Sequence, residues 1–132
     1  MMTHFSGKVT IKAVVERNGL ILVTLDKRWE LPGGRLDVGE SIADAVAREL
    51  KEELGIDAVA GKLLYSQQYR QERDGTDALM LVVQALWDEG QTITPDLGEV
   101  KNFTWIAEHH MHEMDFYPNI ANALRHYFTH RG

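Results

Sequence analysis

The apolar positions of this chain fall into two rhythms, one of period two and one of period 3.6. From Val9 to Val15 β-branched residues dominate, and Arg17-Asn18-Gly19 supplies an Asn-Gly turn signal ahead of Leu20-Ile21-Leu22-Val23-Thr24, which predicts a hairpin. Asp26-Lys27-Arg28 reads as a polar turn and Trp29-Glu30-Leu31 as a short strand, stopped by Pro32, which has no N–H for a ladder. Gly33-Gly34 then predicts a backbone that can approach a ligand closely. The helical rhythm takes over between Ile42 and Leu54. At about 100° per residue, Ala43, Val46, Ala47, Leu50 and Leu54 share one arc, a stripe wide enough to bury against a sheet. Glu49, Glu52 and Glu53 share the adjoining arc, because residues three and four apart are neighbours on a helix. Ser41 with Asp44 reads as a capping box, and Gly55 stands where a left-handed residue ends a helix, with Ile56 placed to pack back.

After that helix the strand rhythm returns. Val59 to Tyr69 predicts a long strand, and Arg70 to Thr76 a charged loop carrying Asp-Gly. Ala78 to Trp87 is apolar almost throughout, as in a strand buried on both faces. A polar connection from Asp88 to Gly98 leads to a strand from Val100 to Ile106. Pro118 fits the first turn of a last helix, in which Ile120, Ala121, Leu124, Tyr127 and Phe128 form an apolar stripe. Strands with one helix mid-chain and one near the end describe an α/β chain without internal repeat or low-complexity segment.

Composition narrows the range of functions. A chain of 132 residues predicts a single domain with a real hydrophobic core. The net charge of −6 argues against a nucleic-acid polymer as partner, since backbone binding needs Lys and Arg to replace counterions. Cysteine is absent, which excludes disulfides, thiolate metal sites and a cysteine nucleophile. No apolar run reaches the length of a membrane span, and the first eight residues lack an apolar signal core, so a soluble cytoplasmic protein is the expectation.

The three glutamates change the picture most. Like charges at these spacings disfavour a helix by a few tenths of a kcal/mol per pair, roughly. A solvated face with ordinary ion pairs from Arg48 and Lys51 is one way to accommodate them. A hard divalent cation is the other, since Mg²⁺ takes a few carboxylates and shares its shell with water and substrate phosphates. The wider pattern favours the cation. Gly34, five residues, Glu40, seven residues, Arg48-Glu49-Leu50, one residue, Glu52-Glu53, one residue, Gly55-Ile56 resembles the Nudix box at every specified position. With each fixed residue at a frequency of about 0.07, chance agreement is on the order of one in 10⁸ per start point.

That resemblance implies a single Nudix hydrolase domain over residues 1–132, with the family's α/β/α sandwich around a mixed sheet. It implies a MutT-like pyrophosphohydrolase that uses Mg²⁺, with Mn²⁺ as substitute. The expected substrate is a nucleoside diphosphate linked to another group, foremost a (d)NTP cut to (d)NMP and pyrophosphate. The alternatives are a non-catalytic nucleotide sensor and a hydrolase of ADP-ribose or NDP-sugars. A small nucleotide is the expected partner, and the protein would be a monomer or homodimer. Carried over residue by residue, Glu49, Glu52, Glu53 and the carbonyl of Gly33 are the metal ligands, and Arg48 orients the carboxylates. Glu40 and Gly34 are supporting residues.

The family often adds an acid from a late loop as metal ligand or base. Glu99 matches best, ahead of Asp96 and Glu108. Tyr69, Trp87, Phe116 and Tyr117 could stack on a base. Asn119 lies where MutT-like members carry an asparagine that reads a purine edge, and Arg70 and Arg73 could touch phosphates. His109-His110-Met111-His112 looks like a metal cluster but lacks a fourth ligand nearby. Gln71, Glu72 and Arg73 stand where some subgroups carry a marker proline or tyrosine, which disfavours the ADP-ribose and dinucleoside-polyphosphate subgroups.

Overall fold

The strands divide between two sheets, and the division sets the layers of the molecule. In the computed structural model, which describes residues 3–131, β1 is Lys8–Val14, β2 Glu16–Arg17, β3 Leu20–Leu25, β4 Trp29–Glu30 and β5 Gly33–Arg35. Helix α1 spans Ile42–Leu54, β6 Ala58–Arg70, β7 Asp77–Trp87, β8 Asn102–Ile106 and helix α2 Pro118–His130. A 3₁₀ turn covers Glu108–Glu113. One sheet has the order β5-β1-β7-β6, in which β1 and β7 run parallel and the other pairs antiparallel. The other joins β2, β3 and β4, with β8 on the far side of β3. The mixed sheet carries α1 over one face and α2 over the other, an α/β/α arrangement. Met1, Met2 and Gly132 lie outside the described residues. Among the described residues no helix is long and apolar enough to cross a membrane.

Alternation along β1 builds the two cores. Ile11, Ala13 and Val15 join Leu22, Val83, Val46, Leu50 and Leu54 beneath α1. Val14 joins Met80, Val82, Ile120 and Leu124 beneath α2. A strand with a core on each face cannot remain in a two-stranded hairpin, and here the expected hairpin is corrected. Asn18 (φ 51°) and Gly19 (φ 78°) do form a tight turn with both residues left-handed. Only Glu16 and Arg17 pair across it, with Ile21 and Leu20, and β1 turns away to lie between β5 and β7.

Helix α1 has the predicted bounds. The Ser41 hydroxyl accepts from the Asp44 amide at 3.0 Å, and Gly55 closes the other end at φ 67° with its N–H on the Lys51 carbonyl. Its buried face is rolled from the expected one: Ala45, Val46, Leu50 and Leu54 are buried, while Ala43 is exposed. The roll brings the ridge Ala45-Glu49-Glu53, spaced four residues apart, against β5.

The two glycines of β5 make that approach possible. A Cβ on Gly33, which has φ 143°, would overlap the Ile11 carbonyl, and one on Gly34 would lie 2.5 Å from the Glu49 carboxylate. The close approach expected for a ligand is therefore made by the protein itself, strand to strand and strand to helix. Gly39 also has positive φ, at 78°, but nothing lies within 4 Å of its Cβ position. Replacing Gly39 by Ala is expected to cost about 1–2 kcal/mol for the left-handed backbone alone. Gly33→Ala should cost more, because strain is joined by overlap with backbone; urea unfolding of the two variants measures the difference.

Candidate active site

Arg48 sits at the centre of the acidic strip. Its Nε and Nη2 donate to the two carboxylate oxygens of Glu40 at 2.7 and 2.9 Å, a bidentate pair. Nη1 donates to Glu49 at 2.9 Å and more weakly to Glu52 at 3.5 Å, and Nη2 also reaches the Arg35 carbonyl at 3.1 Å. One guanidinium thus ties the glycine turn to the helix. Hydrogen bonding to Arg48, with the Asp37 amide adding to it, holds Glu40 down at about 2. The Arg48 cation is correspondingly held in its charged form, first by Glu40.

Glu53 occupies the innermost position. Its Oε2 accepts from the Gly33 N–H at 2.7 Å. Burial pushes its carboxyl up to about 8, against the opposing pull of Lys12 and the Gly33 amide. Burial also raises Glu49, although Arg48 works against it, and Glu52 adds to the rise. Glu52 is different, with its side chain 52% exposed. The three acids share one strip, as the helical spacing requires. They are not converged: among the described residues no group of three His, Asp or Glu side chains is arranged as a metal cage.

The donor set nevertheless suits a hard divalent cation. Every candidate ligand is an oxygen, and the inner carboxyl retains a proton that a cation could displace. The charge of Glu49 disfavours ionisation of Glu53, and that of Glu52 disfavours ionisation of Glu49, a conflict that positive charge relieves.

A cleft of about 870 Å³ opens on the α2 side of the mixed sheet, lined by Thr10, Lys12, Gln67, Tyr69, Arg70 and Asn119 among others. The helix acids are not in its lining, and the link to them is Lys12, which pairs in register with Gly33, whose amide holds Glu53. The three predicted substrate-binding residues, Tyr69, Arg70 and Asn119, therefore meet in one cavity. The Tyr69 hydroxyl lies 3.3 Å from Thr10 Oγ1, and Asn119 Nδ2 lies 3.3 Å from Met80 Sδ at the start of α2. Arg70 is exposed and pairs with Asp77 at 3.3 Å. Arg73 and Tyr117 line the cleft as well. Of the other aromatic candidates, Phe116 is buried in the α2 core and Trp87 stacks on Trp105 beneath Arg17, away from the cleft.

The late loop reaches the helix without presenting a partner for its acid. The Thr94 and Asp96 amides donate to the carbonyls of Leu54 and Glu53, at 2.8 and 2.9 Å, fastening the loop to the end of α1. Glu99 follows in that loop, exposed, and among the described residues no hydrogen bond or ion pair holds its carboxylate. Asp96 spends its carboxylate on the Gly98 amide, and Glu108 lines a separate cavity with Met111 and Arg125. The histidines lie on the 3₁₀ turn, where His110 Nδ1 accepts from the Ala107 amide and His109 packs on His110. They form no metal cluster among the described residues.

Two residues of the cleft escaped sequence reasoning. Lys12 donates to Glu30 at 2.5 Å on the cleft floor, and its side chain is only 12% exposed. Burial works against its charge, but Glu30 and then Glu53 outweigh that and raise it. The signal was present: Lys8, Thr10 and Lys12 are the polar alternates of β1, whose other residues are apolar.

Comparison with known proteins agrees with this architecture. The chain is 38% identical over 65 residues to the CTP pyrophosphohydrolase of Escherichia coli (strain K12), a match covering 44% of this chain and 48% of that protein. It is 51% identical over 35 residues to the RNA pyrophosphohydrolase of Campylobacter jejuni (strain RM1221), covering 26% and 22%. The chain spans less than half the length of the curated relatives it matches. Among solved structures, the E. coli ORF135 protein superposes with a TM-score of 0.80 at 25% identity, covering 95% of this chain and 91% of that one. The MutT NUDIX hydrolase from Burkholderia pseudomallei gives 0.77 at 26%, covering 92% and 98%. The NUDIX domain model matches residues 8–127, almost the whole chain, and the chain belongs to that family.

Proposed function

We propose that the protein is a divalent-cation-dependent pyrophosphohydrolase that cuts a nucleoside triphosphate into the monophosphate and pyrophosphate, with Mg²⁺ as its ion and Mn²⁺ as substitute. The observation that carries this reading is the adjacency of the Glu49-Glu53 ridge to a cleft of nucleotide size, joined by the pairing of Gly33 with Lys12. Nudix hydrolases generally use divalent cations. One relative is named for CTP, which supports a triphosphate substrate.

In this reading Glu49, Glu52, Glu53 and the Gly33 carbonyl hold the ion. Arg48, anchored by Glu40, fixes the direction of the helix carboxylates through the bonds it makes to Glu49 and Glu52. Gly34 keeps the strand close enough for both. When bound, the ion supplies neutralisation of the phosphoryl oxygens and a more acidic water. Tyr69 offers a stacking face and Asn119 a donor–acceptor amide for the base, and Arg70 offers charge to the phosphates. Hydrolysis forms one P–O bond from water and breaks one anhydride P–O bond. The proton of the attacking water must pass to a base, and Glu99, carried on the loop tied to the end of α1, is our candidate.

Glu52→Gln and Glu53→Gln should each lower Mg²⁺-dependent turnover at least about tenfold to a hundredfold in a nucleoside triphosphate panel. Turnover within about threefold of wild type, a change under about 1 kcal/mol, would exclude these carboxylates as ligands.

The raised Glu53 carboxyl makes a second prediction. Its folded value, about 8, lies above the ordinary 4.5, so the metal-free folded state holds a proton that the unfolded chain has already released. Its contribution to stability is then present below about pH 4.5 and is lost as pH rises toward about 8. The Tm of the metal-free protein should fall across that window, Glu53→Gln should flatten the fall, and Mg²⁺ should raise Tm more at the alkaline end.

A further inference from the structure

We infer that Lys12 is a substrate contact, holding a phosphate oxygen on the nucleoside side of the bond that is cut. The inference rests on the pyrophosphohydrolase reading and extends it to a residue outside the Nudix box. Lys12 is placed between the two halves of the site. It faces the cleft from β1, in the same alternation as Thr10, and pairs in register with Gly33, whose amide holds Glu53. In the pyrophosphohydrolase reading a triphosphate joins Tyr69 and Asn119 to the helix carboxylates, and Lys12 is the basic side chain of the cleft whose strand partner, Gly33, holds Glu53.

The hydrogen-bond count at Lys12 points the same way. An ammonium carries three N–H donors. Among the described residues Glu30 is its one hydrogen-bond acceptor, at 2.5 Å, although the side chain is nearly buried. Two donors in a cleft of nucleotide size are thus left for an incoming oxygen. The other basic side chains lining the cleft are exposed: Lys27 and Arg73 stand on loops, and Arg70, at the end of β6, is paired with Asp77. Lys12 instead starts from a packed strand and a fixed partner, which reduces the ordering that binding requires.

The competing role is electrostatic only: Lys12 would neutralise Glu30 and touch no substrate. Binding and kinetics of Lys12→Met, Lys12→Arg, Glu30→Gln and the double variant Lys12→Met/Glu30→Gln separate the two. The probes are the α,β-methylene analogues of CTP and GTP with Mg²⁺, and the hydrolysable triphosphates for steady-state rates. Losing a charge-assisted hydrogen bond to phosphate should weaken analogue binding and raise KM by about 10–100-fold. Lys12→Arg should keep most of the affinity, and the double variant, which buries no unpaired charge, should stay as weak as Lys12→Met. Mg²⁺ affinity without nucleotide should be unchanged or tighter in Lys12→Met, since a positive charge has left the carboxylates. Analogue binding within threefold of wild type in Lys12→Met, or return of the double variant to wild-type affinity, would overturn the inference. Because the analogues report binding without turnover, a wild type that binds them and cuts no triphosphate defeats the hydrolase reading and leaves the test of Lys12 intact.

Discussion

The site depends on one contact, the approach of the Ala45-Glu49-Glu53 ridge of α1 to the bare backbone of Gly33 and Gly34. Both sides of the contact are needed. The helix must be rolled so that its acids lie at the margin of the buried face, and the strand must lack side chains so that carboxylates can reach its backbone. The first condition is met by packing Ala45 into the core, the second by glycine at positions where a Cβ would strike the Ile11 carbonyl or Glu49 itself. Glu49 and Glu53 are therefore held by tertiary packing, while Glu52 stays half in solvent.

Chemical consequences follow from that position. A carboxylate brought to the junction of helix and sheet loses water, and at Glu53 one amide hydrogen bond and the nearby Lys12 do not fully replace it. Such a group keeps its proton until a stronger positive charge arrives. Arg48 could have been that charge, but it is spent largely on Glu40 and the turn, where it locks the strand to the helix. The strip is left with more carboxylate than cation, beside a cleft whose floor carries Lys12. A site of this kind favours a ligand that brings its own metal and its own anionic oxygens together.

Much of this was legible in the residues. The period of 3.6 and the caps at Ser41 and Gly55 fixed the bounds of α1, because capping chemistry is local. The spacing of Glu49, Glu52 and Glu53 placed them on one strip for the same reason. What sequence could not supply was the roll of the helix, since Ala43 and Ala45 are equally small and only the sheet decides which is covered. The hairpin misled because the Asn-Gly signal is local, while the departure of β1 to lie beside β7 is set by cores on two faces. Tyr69, Arg70 and Asn119 come from β6 and α2, and their meeting in one cleft needs the fold. Lys12 and Glu30 were hidden by their position in strands, where a polar residue is easily read as facing water.

Proton release on metal binding tests the central claim most directly. Mg²⁺ titration by calorimetry near pH 7, in buffers of different ionisation enthalpy, counts the protons displaced when the ion enters. With Glu53 held at about 8, the wild type should release close to one proton per ion, and Glu53→Gln almost none. Binding without proton release in the wild type, or equal release from the variant, would contradict a buried, protonated Glu53 as the place where the cation enters.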